Sequence, residues 1–265
     1  MNTAIIKFLE WLKSSSITID LFDPWHFGYI FLMLGVTTFL VLHFSKKSKE
    51  SQKKLLDVLA IVVISSYIFD FFMMPLSEGE IEIDKLPFHI CTFMGVCIPF
   101  AQFNKKFAKI KDVIVTLSIV ASLMYVTYPG SALGGVTPWC YKVVQTFVFH
   151  SLVFMWGVLN LSTGAVTLSM NKIYKPAIGI VVIIIWAFFG SLVYSPAGTK
   201  HDWFFVRGGT FPFVPEPLMP FVVFAAVFSM CVIITLIYLG IKKAVLSKKS
   251  VNASEAEAIV STSEN

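Results

Sequence analysis

Charge is what this chain has least of. Only 14% of its 265 residues are Asp, Glu, Lys or Arg, and 56% are hydrophobic, whereas a soluble globular domain carries about 25% charged residues. So few charges cannot cover a water-exposed surface, which excludes a soluble enzyme and a disordered scaffold. Arginine is almost missing: Arg207 is one arginine among 21 basic residues. The lysines sit in short stretches between apolar runs, so no nucleic-acid-binding surface is expected. Cys91, Cys97, Cys140 and Cys231 lie in or beside apolar runs without any CxxC spacing. They read as small core residues rather than a disulfide framework or a metal site. No HxxxH pair occurs, although intramembrane zinc hydrolases commonly need one. His26, His89 and His150 could still converge with Asp70, but no metal or other cofactor is assigned. The last apolar run has no lysine before Lys242, which removes a retinal Schiff base.

What the chain does have is long apolar runs. A spanning helix needs roughly 20 apolar residues to cross a ~30 Å hydrocarbon core. Seven runs qualify, at about 27–44, 55–76, 86–103, 112–128, 139–161, 176–195 and 217–241. The expected fold class is therefore all-α, a polytopic bundle of seven transmembrane helices over residues 20–241. Residues 1–19 precede it as an interfacial amphipathic segment, since Ile5, Leu9 and Leu12 recur at helical spacing. Residues 242–265 follow as a small, polar and disordered cytoplasmic tail.

Orientation comes from the lysines. Lys46, Lys47, Lys49, Lys53 and Lys54 follow the first run, and Lys105, Lys106, Lys109 and Lys111 follow the third. Lys172 and Lys175 follow the fifth, and Lys242, Lys243, Lys248 and Lys249 follow the seventh. The opposite loops hold Glu78, Glu80, Glu82 and Asp84, or the uncharged stretch Pro129–Pro138. The N-terminus is thus expected outside and the C-terminus in the cytoplasm. Lysine for arginine, with many Phe and Ile, fits an AT-rich genome and a bacterial plasma membrane.

Ionisable groups inside a membrane are costly and often mark function. Asp70 lies about six residues inside the second run, near 9 Å depth at ~1.5 Å per residue, and needs a proton or a partner. In the fifth run Lys142, Thr146, His150, Gly157 and Asn160 fall within about 80° of one another at ~100° per residue. That stripe should face other helices, with Gly157 allowing close approach. Pro87 suits a helix's first turn, so the third run is expected to start with Leu86-Pro87-Phe88-His89-Ile90-Cys91. His89 and Cys91 suggest base and nucleophile, yet residues two apart on a helix point about 200° apart. Thr92 and Phe93 share the face of His89, so one of His89 and Cys91 is structural. His26 follows Asp23-Pro24-Trp25, and Arg207 sits among Trp203, Phe204 and Phe205. Its guanidinium is suited to a lipid headgroup phosphate. His26, Asp70, His89, Lys142, Gln145 and His150 all fall in the outer half of the membrane, which predicts a polar cavity open outward or to the outer leaflet.

These landmarks resemble the YwaF family of bacterial integral membrane proteins. The resemblance rests on Phe22-Asp23-Pro24-Trp25-His26, the Leu-Pro-x-His-x-Cys stretch at 86–91, the Phe-x-x-His element at 147–150, and His201-Asp202-Trp203-Phe204-Phe205 followed by Pro212. It covers about residues 20–240. That family is grouped with the eukaryotic transmembrane-protein-164 proteins, which resemble androgen-induced-gene lipid hydrolases. The resemblance implies phospholipid acyl transfer, with His150 as general base and His89 as a flanking histidine. The eukaryotic pattern places its nucleophilic cysteine between the proline and the histidine, where this chain has Phe88.

Two chemistries and one bland role follow. The first is an acyltransferase or lipid hydrolase acting on membrane phospholipid. There Asp70 orients or charges a histidine, and Cys91, Thr92 or Thr146 accepts the acyl group. Lys142, Gln145, Thr146, His26 and Arg207 contact substrate. The second is a transporter whose outward cavity holds a small polar or anionic solute on His89, His150 and Asp70. The third is a lipid-binding scaffold in which the buried polar groups only tie helices together.

Overall fold

The computed structural model describes residues 3–13, 17–78, 83–129, 136–194, 202–206 and 214–263. All regular structure among them is helical. The helices are α1 (Thr3–Lys13), α2 (Pro24–Phe44), α3 (Lys49–Glu78), α4 (Ile90–Phe103), α5 (Lys111–Thr127), α6 (Tyr141–Ser162), α7 (Tyr174–Tyr194) and α8 (Met219–Ser263). Helix α8 stays helical past residue 241, where the sequence reading ends the last span and begins a tail.

Six stretches, corresponding to α2, α3, α5, α6, α7 and α8, are long and apolar enough to cross a membrane. The third expected span differs. Its helix α4 has 14 residues, about 21 Å at ~1.5 Å per residue, and it starts at Ile90 rather than Leu86. Pro87 lies in a tight turn before it, closed by Phe88 N–H donating to Leu86 O at 2.7 Å. His89 is the extended N-cap residue, with φ −78° and ψ 148°. The turn is held because Phe88 is buried among aromatic rings of Trp186, Tyr194 and Trp203. A Cβ on Gly190 would collide with the Phe88 ring, so glycine is what admits that ring.

The α5–α6 hairpin is the centre of the bundle. Within their apolar windows 61% of α5 residues and 72% of α6 residues are buried, against 11% for α2. Helix α3 packs on α6 and α4 on α5, with α3 and α4 also in contact, and α7 and α8 pair beside α5. Gly157 sets the α5–α6 spacing, because a Cβ there would stand 2.6 Å from Ile119 Cγ1 and 3.3 Å from Val115 O. Polar residues on the outer faces are few, as expected when the surrounding medium is hydrocarbon.

Hydrogen bonds gather the lysine-bearing connections at one end. Lys49 Nζ donates to Thr163 O at 2.6 Å, Gln102 Nε2 to Asp57 Oδ1 at 2.5 Å, and Lys175 Nζ to Asp112 Oδ2 at 3.1 Å. The opposite end is tied by Tyr29 Oη donating to Pro138 O and Ile19 N–H donating to Val136 O. Helix α2 starts there on Asp23, whose carboxylate accepts from His26 N–H while Pro24 fills the first turn.

Candidate functional site

Asp70 on α3 has a partner that sequence reasoning missed. Lys85 Nζ lies 2.9 Å from Asp70 Oδ2, with the carboxylate 2% exposed and the lysine side chain 17% exposed. Tyr141 at the start of α6 donates its hydroxyl to Asp70 Oδ1 at 3.0 Å. A buried carboxylate is tolerable only when paired and hydrogen-bonded, and here both oxygens are taken. The same ammonium reaches Gln145 Oε1 at 3.5 Å, and Tyr67 Oη donates to the Lys85 carbonyl at 2.7 Å. The signal in sequence was the buried acid itself, near a loop with one cation directly before the Leu-Pro-Phe-His turn.

Asp70 binds Lys85 and Tyr141, and it is a backbone carbonyl that orients the ring of His150. His150 Nδ1 lies 2.7 Å from Thr146 O. A carbonyl only accepts, so Nδ1 carries the proton and Nε2 presents a lone pair. That Nε2 is buried and has no hydrogen-bond partner among the described residues. The ring is clamped face to face on Tyr125, centroids 3.9 Å apart at 10°, and meets Phe149 edge-on. His150 also lies within electrostatic range of Lys85 and His89.

His89 and Cys91 go to different neighbours. His89 Nδ1 accepts from Phe204 N–H at 3.2 Å, and its ring lies 6.3 Å from that of Phe205. Both phenylalanines are in the left-handed region, at φ 60° and 57°, a strained conformation for bulky residues. Cys91 is half-buried and lies within electrostatic range of Tyr67 and Lys85. Lys85 thus pairs with Asp70 and lies within electrostatic range of Cys91 and His150. Thr92 is unsuited to the nucleophile role, since its Oγ1 sits 3.0 Å from His89 O and 3.3 Å from Leu86 O, with its one proton committed to backbone carbonyls.

His26 is not part of this cluster. It is fully buried, its Nδ1 accepts from Phe22 N–H at 2.9 Å, and its Nε2 donates to Val126 O at 2.8 Å. Both nitrogens therefore clamp the start of α2 to the end of α5, leaving neither for a substrate. Lys142 and Gln145 are half-buried on α6 beside the cluster, and Thr146 is buried. Arg207, Lys200 and His201 lie outside the described residues. Among the described residues no three His, Cys, Asp or Glu side chains converge as metal ligands.

The order of these features along the chain is decisive. The sequence model of the TMEM164 family matches residues 21–239. The chain belongs to the TMEM164 family. The match takes in every element from the Phe22–His26 turn to the membrane part of α8, so the paired Asp70–Lys85 and the Thr146–His150 unit both lie within the TMEM164 region. No curated protein and no solved structure matches the chain.

Proposed function

We propose that this TMEM164-family protein is an acyltransferase or lipid hydrolase acting on membrane phospholipid. It is of the YwaF type, and its home is a bacterial plasma membrane. The observation that carries the reading is His150: a buried imidazole whose tautomer is set by Thr146 O and whose Nε2 lone pair is unused. A base must hold its lone pair ready while its other nitrogen is anchored.

The Cys91 thiol attacks an ester carbonyl of the lipid and gives its proton to His150 Nε2. A carbon–sulfur bond forms, and the carbonyl electrons move to oxygen beside Lys85. Such charge is best stabilised by a fixed cation in a water-poor site. Collapse breaks the ester carbon–oxygen bond, and the leaving alcohol takes the proton back from His150. A second alcohol, or water, then attacks the thioester with His150 again taking its proton, and the thiol is restored. Lys142, Gln145 and Arg207 contact the headgroup.

Seven crossings are part of the same reading, with the N-terminus outside and the C-terminus in the cytoplasm. Support comes from residues 83–103 running antiparallel to α3 between two tied levels. Tyr67 holds Lys85 O at one end, and Asp57 holds Gln102 at the other. The chain from Lys85 to Gln102 therefore runs back along the part of α3 between Tyr67 and Asp57, from the end that holds Lys85 toward the lysine-rich end.

Lipidomics on cells expressing wild type, His150→Ala and Cys91→Ala at matched levels tests this function. Loss of the base is expected to cost about 10²–10⁴-fold in rate, so a lipid class shifted by wild type should return to its background with either variant. A lipid profile identical in all three strains would dismiss acyl chemistry.

A further inference from the structure

Helix α5 carries a polar stripe that the proposed chemistry does not use. Lys111, Ser118, Ser122 and Tyr125 fall within roughly 60° of one another at about 100° per residue. Tyr125 is the residue stacked on His150. At the far end Lys111 Nζ donates to Gln102 Oε1 at 2.8 Å and sits 5.5 Å above the Trp156 ring. Gln102 passes on to Asp57 and Asp57 to Lys53, whose side chain is 71% exposed. The stripe thus joins the buried His150 to the water at the lysine-rich end.

Its middle is made of groups that want a partner. Ser118, Ser122, Trp156 and Asn160 are fully buried. Among the described residues, Ser118 Oγ, Ser122 Oγ, Trp156 Nε1 and Asn160 Oδ1 have no hydrogen-bond partner, and neither does His150 Nε2. Four buried threonines dispose of their hydroxyls locally: Thr37, Thr116, Thr163 and Thr235 each donate to the carbonyl four residues back. The two serines do not. Five such atoms on two packed helices would be a heavy penalty in a dry core. Buried polar groups that lack protein partners are commonly joined by ordered water.

We propose that the α5–α6 interface holds a file of water molecules bound by Ser122, Ser118, Trp156 and Asn160. It connects His150 Nε2 to the Lys111–Gln102–Asp57 network. The ligand of this site is water, and its role rests on the reading of His150 as a base: within a turnover the proton passes only between Nε2 and the reacting groups, and between turnovers hydroxyl-to-hydroxyl exchange along the file resets the protonation of Nε2 against the Asp57 end.

Water-edited solid-state NMR on the full chain in phospholipid bilayers tests it, with ¹⁵N-histidine and ¹³C-serine labels and His150→Gln used for assignment. His26 is the internal control, because it is as deeply buried but has both nitrogens bonded to backbone. His150 and both serines should receive water magnetisation several-fold faster than His26. Equal, slow build-up at His150 and His26 in the wild type would overturn the proposal, and that comparison requires no variant. In Ser118→Ala/Ser122→Ala the build-up at His150 should fall to the His26 rate. A His150 that stays as wet as before would mean its water comes from elsewhere, and would overturn the file. A wet His150 that depends on the serines, in a protein that leaves lipids unchanged, would sustain the file and remove the catalytic reading.

Discussion

Lys85 Nζ stands 2.9 Å from Asp70 Oδ2, joining the turn before α4 to the middle of α3. Tyr141 completes the carboxylate's shell from α6, so three segments meet on one buried negative charge. Removing one member of such a pair leaves the other charge buried and unmatched, which costs about 3–5 kcal/mol. Removing both costs less. Lys85→Met and Asp70→Asn should each lower the unfolding temperature in detergent by several degrees, while the double variant recovers most of the loss. Additive losses in this cycle would mean the two groups do not act as a pair.

His26 carries a second prediction. Its ring bridges Phe22 N–H and Val126 O inside the fold, and an orphaned buried acceptor costs about 1–3 kcal/mol. His26→Ala should therefore lose thermal stability while leaving the lipid profile of expressing cells like that of wild type at matched levels. A stable variant with an altered lipid profile would return His26 to the substrate site.

How much of this was legible beforehand depends on what a residue's neighbours add. The apolar runs of α2, α3, α5, α6, α7 and α8 declared themselves, because length and hydropathy are local properties. Asp70 declared a need for a partner, because burial of a carboxylate is costly whatever the fold. The partner stayed hidden: a lysine next to a proline turn reads as loop, and only the fold lays Lys85 against α3. Pro87 was expected inside a helix, since proline tolerates a first turn. What moved it out was Phe88 finding a socket opposite Gly190, a tertiary event with no local trace. His26 and His150 are alike in sequence, each a lone histidine by an apolar run. Their difference lies in which backbone groups are left over beside them, and that is decided by packing.

Topology gives a third prediction. Single cysteines placed in a cysteine-free version at Asn104 and at Tyr128 flank α5, and both residues are exposed. Seven crossings with the C-terminus in the cytoplasm put Asn104 inside and Tyr128 outside. A membrane-impermeant maleimide added to intact cells should label Tyr128→Cys and leave Asn104→Cys unlabelled until the membrane is opened. Labelling of Asn104→Cys in intact cells would overturn the orientation, because the four crossings α5 to α8 keep Asn104 on the side of the C-terminus. A third cysteine at Lys47, exposed between α2 and α3, should also stay unlabelled; its labelling with Asn104→Cys protected would mean that the 83–103 segment dips into the membrane and returns.

The choice of nucleophile separates two adjacent residues. Thr92 spends its hydroxyl proton on the carbonyls of Leu86 and His89, closing the turn that starts α4, whereas Cys91 is half-buried within range of Lys85. Thr92→Val removes that hydrogen bond at a cost of about 0.5–1.5 kcal/mol, and it should lower stability modestly without erasing the lipid change made by wild type. Cys91→Ala removes no hydrogen bond of the turn and should keep the fold, yet erase that change. Cys91→Ser keeps a weaker nucleophile at the same place and should restore only a small part of it. If Thr92→Val erased the lipid change while Cys91→Ala retained it, the acyl group would have to pass through the threonine, and the turn would have to open for its oxygen to be free.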